Sequence, residues 1–192
     1  DPGFDIDAVR SDVAYLQLEG QPVIYLDIAA TTQRPNQVID RVAKFYREEN
    51  ANPLRGNHRL SMLATQANEL GREKVREFIN AKESVEVLFT RNATESLNLV
   101  STAWGMEHLK EGDEVLITRM EHHSNSVNWQ FVCQQTGANL RYIELNDDFG
   151  LDMEDFEDKL NEKTKVLSFT GASNVLSTVP DAKAMIKKAR EF

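Results

Sequence analysis

The sequence predicts an α/β protein with a mostly parallel sheet flanked by helices. From residue 85 onward, short apolar runs typical of buried strands alternate with longer segments of helical periodicity. Turn signals at Gly112-Asp113 and Thr136-Gly137 separate these segments. Strands that alternate with helices favour a parallel sheet, because each crossover returns the chain over one face of the sheet.

The N-terminal part of the chain predicts a more helical arrangement. The predicted helices cover residues 5–16, 35–49 and 60–80, and one strand is predicted over residues 23–26. Pro35 suits the first turn of its helix, and a loop containing Pro53 and Gly56 follows at residues 50–57.

The remainder predicts four strand–helix units that share one sheet. The strands are predicted over residues 85–90, 114–118, 139–144 and 166–170, and the helices over 93–109, 127–135, 153–160 and 181–192. The last helix is expected to lead into a further parallel strand. We therefore expect the sequence to be a fragment or one half of a larger domain.

Composition excludes some classes of function. The 192 residues suffice for one core, and the net charge of −9 argues against binding nucleic acid or an anionic membrane through bulk charge. No apolar run approaches the roughly 20 residues of a membrane span, and no signal peptide is visible. The single cysteine, Cys133, cannot form an internal disulfide and suits a reducing compartment, so a cytoplasmic location is predicted.

Two strand-to-helix junctions carry the polar residues of greatest interest. Glu121, His122 and His123 follow the strand predicted at residues 114–118, at the sheet edge where ligands bind in parallel α/β proteins. At the other junction, Asn92 and Glu95 have the spacing of a capping box, and the free N–H groups of such a helix start bind anions. Together the junctions predict a phosphate site and an imidazole near one crevice.

Each of these signals also has a simpler interpretation. Asn92 could be only a helix cap, and the adjacent histidines could be surface residues, with His123 expected to be structural. A zinc site is disfavoured, because only His58 and His108 remain as further histidines and no cysteine cluster exists. Cys133 lies in a half-apolar helical segment and is expected to be a small buried hydrophobic residue.

Five motifs in order give the sequence a family resemblance. They are YLDIAATT at 25–32, RGNHRLS at 55–61, TRNATESLN at 90–98, EHHSN at 121–125 and SNVL at 173–176. The chain resembles the N-terminal half of a cysteine desulfurase of the SUF type, within the class V aminotransferases of the pyridoxal phosphate (PLP) fold type I. By this resemblance, residues 1–20 belong to a small domain and residues 21–192 form the first half of the PLP-binding large domain.

The resemblance implies roles for residues at the cofactor. Ala93 and Thr94 hold the PLP phosphate through backbone N–H groups and a hydroxyl. His122 stacks on the pyridine ring and transfers protons, an imidazole being suited to both tasks. Asn174 bonds near the phenolic oxygen of PLP and the substrate carboxylate.

It also implies a substrate side. Ala29 and Ala30 line that side, and Arg55, on a loop near a dimer interface, is a candidate for the substrate carboxylate because its guanidinium fork matches one. Two positions depart from the family pattern, which often has histidine at Leu54 and serine at Ile28.

The activity implied is conversion of L-cysteine to L-alanine, with persulfide sulfur passed to an acceptor protein for iron–sulfur cluster assembly by a homodimer. The Schiff-base lysine, the aspartate at the pyridine nitrogen and the nucleophilic cysteine are expected beyond Phe192, so the chain alone is expected to be inactive. Two alternatives stay open. One is another class V enzyme, a selenocysteine lyase or an aminotransferase-like protein. The other is a non-catalytic truncated chain that acts only as an assembly partner.

Overall fold

The structure is a computed structural model that describes residues 3–17 and 24–192. The chain divides into two compact units, Asp1–Leu88 and Phe89–Phe192. The domain boundary predicted between residues 20 and 21 lies outside the described residues and remains a prediction.

The first unit is helical. Its helices are α1 (Ile6–Ser11), α2 (Asn36–Lys44) and α3 (Arg59–Phe78), and α2 continues as a π-helical turn to Glu49. Short 3-10 turns cover Ala14–Gln17 and Ser84–Glu86. The three helices predicted for this part of the sequence are therefore confirmed.

Two predicted strands are wrong. Residues 24–26 and 85–90 contain no β-ladder, and Ser84–Glu86 forms a 3-10 turn instead. The backbone at Val87 is extended, but in the described ranges no neighbouring strand pairs with this segment. A strand needs a hydrogen-bonded neighbour, and the apolar side chain of Leu88 is 73% exposed here. A short apolar run alone therefore did not make a strand.

The second unit contains a parallel sheet of three strands. Its elements are α4 (Ala93–Val100), a π-helical turn (Ser101–Gly105), α5 (Met106–His108), β1 (Glu114–Thr118), a 3-10 turn (His123–Asn125), α6 (Val127–Thr136), β2 (Asn139–Ile143), α7 (Met153–Lys159), β3 (Thr164–Ser168) and α8 (Ala182–Ala189). The strand order is β2-β1-β3, and both pairings are parallel. Three of the four strands predicted to share one sheet do so.

Helices cover both faces of this sheet. Val115 and Ile117 of β1 pack on one face against Trp129 and Val132 of α6. On the other face, Leu116 packs in a cluster with Ile143, Phe156 of α7 and Met185 of α8. Successive side chains of a strand point to opposite faces, so an unbroken apolar run fits a strand buried on both sides. The predicted fold class is confirmed.

Gly137 allows the sharp exit from α6 into β2. It adopts the left-handed conformation with φ of 77°, and its N–H donates to the Cys133 carbonyl at 2.9 Å. Glycine is favoured at such helix ends because it lacks the Cβ that makes positive φ costly.

Among residues 3–17 and 24–192, α3 is a helix of 20 residues, and its second half, from Glu69 onward, is rich in charged side chains. No helix in these ranges is both long enough and apolar enough to cross a bilayer.

Glu114 joins the beginnings of the three strands. Its carboxylate accepts hydrogen bonds from Arg141 of β2 at 2.8 Å and from the Asn161 amide, just before β3, at 2.9 Å. Burial disfavours the charged form of Glu114, but the bonds from Arg141 and Asn161 outweigh it, so the pKa of this carboxyl is lowered. The folded chain therefore favours the ionised form.

We predict that Glu114→Gln destabilises the chain at pH 7 by about 1–3 kcal/mol, since a hydrogen-bonded charge is lost. The lowered pKa makes the stabilisation by Glu114 fully present above the ordinary value of 4.5 and lost as the pH falls through the folded value. Urea unfolding should therefore show a smaller difference from wild type at pH 3 than at pH 7. Glu162→Gln, at an exposed side chain nearby, is the control. A difference independent of pH would contradict this assignment.

Candidate functional site

The crevice at the carboxyl ends of β1 and β3 is the natural ligand-binding edge of the second unit. These strands are neighbours, yet the chain leaves β1 for α6 on one face and leaves β3 for α8 on the other. In open α/β sheets, ligands bind where successive connections diverge in this way. The residues after β1 include His122, and those after β3 include Asn174.

The first turn of α4 offers free backbone donors. The Asn92 side chain caps the helix by accepting from the Glu95 N–H at 2.9 Å, as predicted. The Glu95 carboxylate, however, accepts from the Arg91 N–H at 2.6 Å rather than from Asn92, so the predicted capping box is displaced by one residue. The bonds from the Arg91 backbone and then its side chain lower the pKa of Glu95. Ala93 and Thr94, the first two helical residues, have no helical acceptor for their N–H groups, which suits an anion.

Ser124 holds the ring of His122 in one tautomer. Nδ1 of His122 lies 3.1 Å from the Ser124 backbone N–H and 2.8 Å from the Ser124 hydroxyl. A backbone N–H can only donate, so Nδ1 is an acceptor and the neutral ring carries its proton on Nε2. The side chain is exposed, which leaves the ring accessible to a ligand.

One cleft of about 580 Å³ brings the two junctions together. It is lined by Thr94, Asn98, His122, His123, Ser124, Val127, Asn128 and Phe131. The predicted meeting of the α4 start with the imidazole of His122 is therefore present in the second unit. Ala93 precedes Thr94 directly and is exposed.

Two further cleft residues were not predicted as site residues. The ring of His123 lies edge-on to that of His122, with centroids 6.3 Å apart. Asn128 is 5% exposed and donates to the Leu97 carbonyl at 3.2 Å, while its Oδ1 has no hydrogen-bond partner among the described residues. Asn128 has an ordinary helical position in the sequence, so only its packing against α4 identifies it.

Asn174 lies in a tight turn after β3. Ser173, which is buried, accepts the N–H groups of Val175 and Leu176 through its hydroxyl and thereby shapes the turn. Asn174 is exposed and is not among the residues that line the cleft. Its role at the cofactor remains a prediction.

Ala29 and Ala30 lie in an exposed turn of the first unit. The Thr31 N–H donates to the Asp27 carbonyl at 3.1 Å, and the Tyr25 hydroxyl donates to the Thr31 carbonyl at 2.7 Å. Residues 28–30 therefore form a turn. No contact in the described residues tests the predicted role of the two alanines at the substrate.

The loop that carries Arg55 is organised by the buried Ser61. The Ser61 hydroxyl donates to the Asn52 carbonyl at 2.7 Å and accepts from the Gly56 N–H at 3.0 Å. A Cβ on Gly56 would lie 2.5 Å from the Ser61 hydroxyl oxygen, so glycine is required here. The Arg55 side chain is exposed, which is compatible with binding a carboxylate.

Glu121 and Asn125 flank the two histidines, and the sequence identified them only as parts of the EHHSN motif. The Asn125 amide donates to the Glu121 carboxylate at 2.7 Å, so the two residues bracket the segment 122–124. The four-residue spacing of a carboxylate and an amide around the histidines was the available signal.

In the described parts of the chain, no group of three or more acidic, histidine or cysteine side chains could hold a metal ion.

Comparisons with known proteins agree on one family. The family described as aminotransferase class-V matches over residues 24–192. A cysteine desulfurase of Synechococcus elongatus is 44% identical over 99% of this chain and 31% of that protein, and one of Pectobacterium atrosepticum is 44% identical over 97% of this chain and 46% of that protein. The solved apo cysteine desulfurase of Thermococcus onnurineus NA1 aligns with a TM-score of 0.89 at 36% identity, covering 97% of this chain and 45% of that one. The chain spans less than half the length of these relatives.

Cys133 lies in α6 but faces the core, as predicted. It packs with Val115, Ile117 and Trp129 and is 5% exposed. Burial raises the pKa of its thiol to about 11, which keeps it neutral and poorly nucleophilic.

We predict that Cys133 reacts very slowly with a disulfide reagent such as DTNB at pH 8. With the pKa raised, only about one thiol in a thousand is ionised at that pH, and the thiolate is the reactive form. The rate should rise at least about a hundredfold in 8 M urea, where burial is lost. Equally rapid reaction with and without urea would show that this thiol is accessible.

Proposed function

Because the chain belongs to the class-V aminotransferase family, we propose that it forms the N-terminal half of a PLP-dependent cysteine desulfurase. Relatives named cysteine desulfurase match nearly its whole length. The observation that carries the proposal is the cleft that joins the start of α4 to the imidazole of His122. PLP is the cofactor of this family, and it needs both an anion site for its phosphate and a flat partner for its ring.

The residues present fit such a cofactor. The N–H groups of Ala93 and Thr94 point outward from the start of an eight-residue helix, and the Thr94 hydroxyl adds a third donor. His122 supplies an exposed aromatic ring in the same cleft. The residues that line the cleft include no lysine. Cofactor binding by this chain alone would therefore be non-covalent and weak.

Within the complete enzyme, the residues of this half divide the work. When bound, PLP supplies an electron sink for charge that develops at the substrate Cα. Ala93 and Thr94 would anchor the phosphate, and His122 would lie against the ring. Since Ser124 occupies Nδ1 of His122, Nε2 is the atom through which this histidine would exchange a proton.

The residues proposed for the substrate are Ala29, Ala30 and Arg55 in the first unit and Asn174 in the second. Ala29 and Ala30 present small side chains on a turn, and Arg55 presents a guanidinium on a loop that Ser61 fixes. L-cysteine carries a carboxylate. A guanidinium such as that of Arg55 binds a carboxylate through charge-assisted hydrogen bonds, and an amide such as that of Asn174 binds one through neutral hydrogen bonds. The products would be L-alanine and a persulfide on a cysteine outside this chain.

The proposal extends to how the complete enzyme acts in the cell. We propose a cytoplasmic homodimer that passes its sulfur to an acceptor protein for iron–sulfur cluster assembly. The single, buried Cys133 supports transfer through a cysteine elsewhere in the complete enzyme, because its thiol is neutral and enclosed.

We predict that Thr94→Ala weakens PLP binding by this chain about tenfold or more, because a hydrogen bond to a charged phosphate is lost. Titration with PLP, followed by backbone amide shifts, should perturb Ala93 and Thr94 first in the wild-type chain. Thr102→Ala, the same change at an exposed position in the π-helical turn after α4, should leave the affinity unchanged. Equal weakening by both variants, or no response at Ala93, would contradict the phosphate site.

We predict that His122→Ala in the complete enzyme lowers turnover about a hundredfold to ten-thousandfold while much of the cofactor stays bound. The phosphate contacts lie at α4 and survive the change, whereas proton transfer does not. Absorbance of bound PLP and release of alanine measure the two effects separately. Near-normal turnover at full occupancy would assign the imidazole role to His123 instead.

A further inference from the structure

The turn that carries His122 is held at both ends by a network of polar side chains that are buried or partly buried. Glu121 accepts the Thr170 N–H at 2.9 Å through Oε1, which also accepts the Thr118 hydroxyl, and it accepts the Asn125 amide at 2.7 Å through Oε2. Thr118 ends β1 and Thr170 follows β3. The carboxylate therefore ties the ends of two neighbouring strands to the turn between them.

Asn125 completes the fastening on the far side of the turn. Its Oδ1 accepts from the Ser168 hydroxyl at 2.8 Å and from the Trp129 indole N–H at 3.3 Å, and its backbone N–H donates to the His122 carbonyl at 2.8 Å. Asn125 is 6% exposed and Trp129 is 3% exposed. Between these anchors, His122 and His123 project into solvent.

The direction of every hydrogen bond in this network is fixed. An indole N–H can only donate, so Asn125 must turn its oxygen to Trp129 and its NH₂ to Glu121. The Thr170 backbone N–H can only donate to Oε1 of Glu121, and the Asn125 NH₂ can only donate to Oε2, so both oxygens of Glu121 must act as acceptors. Glutamine at position 121 would place an NH₂ against that of Asn125, and aspartate at position 125 would place two carboxylates together.

We propose that Glu121 and Asn125 are positioning residues that hold His122 in its Nε2-protonated orientation. The pair fixes the backbone of residues 122–124, and that backbone brings the Ser124 N–H to Nδ1 of His122. This inference rests on the proposed role of His122 at the cofactor, but its test needs neither PLP nor turnover. The pair thus acts on the cofactor site through His122 and not by contact with it.

A swap of the two groups tests the proposal in the 192-residue chain. Glu121→Gln and Asn125→Asp each set like groups against one another. The double variant restores a donor at position 121 facing an acceptor at position 125, and the carboxylate introduced by Asn125→Asp can still accept from Trp129 and Ser168. Glu154→Gln, at an exposed side chain of α7, is the control for loss of one charge.

Two NMR readouts separate positioning from general stability. The hydrogen-exchange rate of the Trp129 indole N–H reports whether the Glu121–Asn125 pair is intact. The nitrogen chemical shifts of the His122 ring, recorded at a pH where the ring is neutral, report its tautomer. Exchange of the Ile117 amide in β1 reports the unit as a whole. In each single variant we expect indole exchange to quicken about tenfold or more, with the two ring nitrogens shifting toward averaged values as tautomers mix. In the double variant both readouts should return close to wild type.

Other outcomes overturn the proposal. If the single variants disturb Trp129 but leave the His122 ring unchanged, the pair is only structural. The same conclusion follows if Ile117 exchange rises as much as the indole exchange, or if the double variant fails to restore the ring shifts. Failure of PLP to bind would contradict the cofactor site and leave this comparison unaffected.

Discussion

Strand β1 is the element on which the arrangement of the second unit depends. It is hydrogen-bonded to β2 on one side and β3 on the other, and Val115, Leu116 and Ile117 are almost completely buried. A strand enclosed on four sides cannot shift register without moving both neighbours and exposing both apolar clusters. The segments that continue from the two ends of β1 are therefore fixed in position, and one of them is the turn with His122.

Polar groups secure both ends of this strand. At its start, Glu114 bonds Arg141 of β2 and Asn161 before β3, and beyond its carboxyl end Glu121 bonds Thr170 and Asn125. Both carboxylates are satisfied by several donors, which offsets the cost of removing charge from water. The group around Glu121 differs from the group around Glu114 because it lies beside the cleft. There it borders the turn that carries the imidazole of His122.

Several apolar residues are exposed in a chain that covers less than half the length of its relatives. Leu26, Leu88 and Val175 expose most of their side chains, and the backbone at Val87 is extended although it pairs with no strand in the described ranges. The relatives are more than twice as long as this chain.

The sequence by itself determined the fold class, most of the helices, the three paired strands and the two junctions at which Thr94 and His122 lie. Those features follow from local periodicity, caps and apolar runs, which neighbouring residues specify. It failed at residues 24–26 and 85–90, because pairing of a strand depends on a partner distant in sequence. Only the tertiary structure decided that Asn128 enters the cleft and that Glu121 bonds Thr170. Each of these features depends on atoms that folding brings together from separate elements. No local pattern in the sequence specifies how close such atoms come to one another.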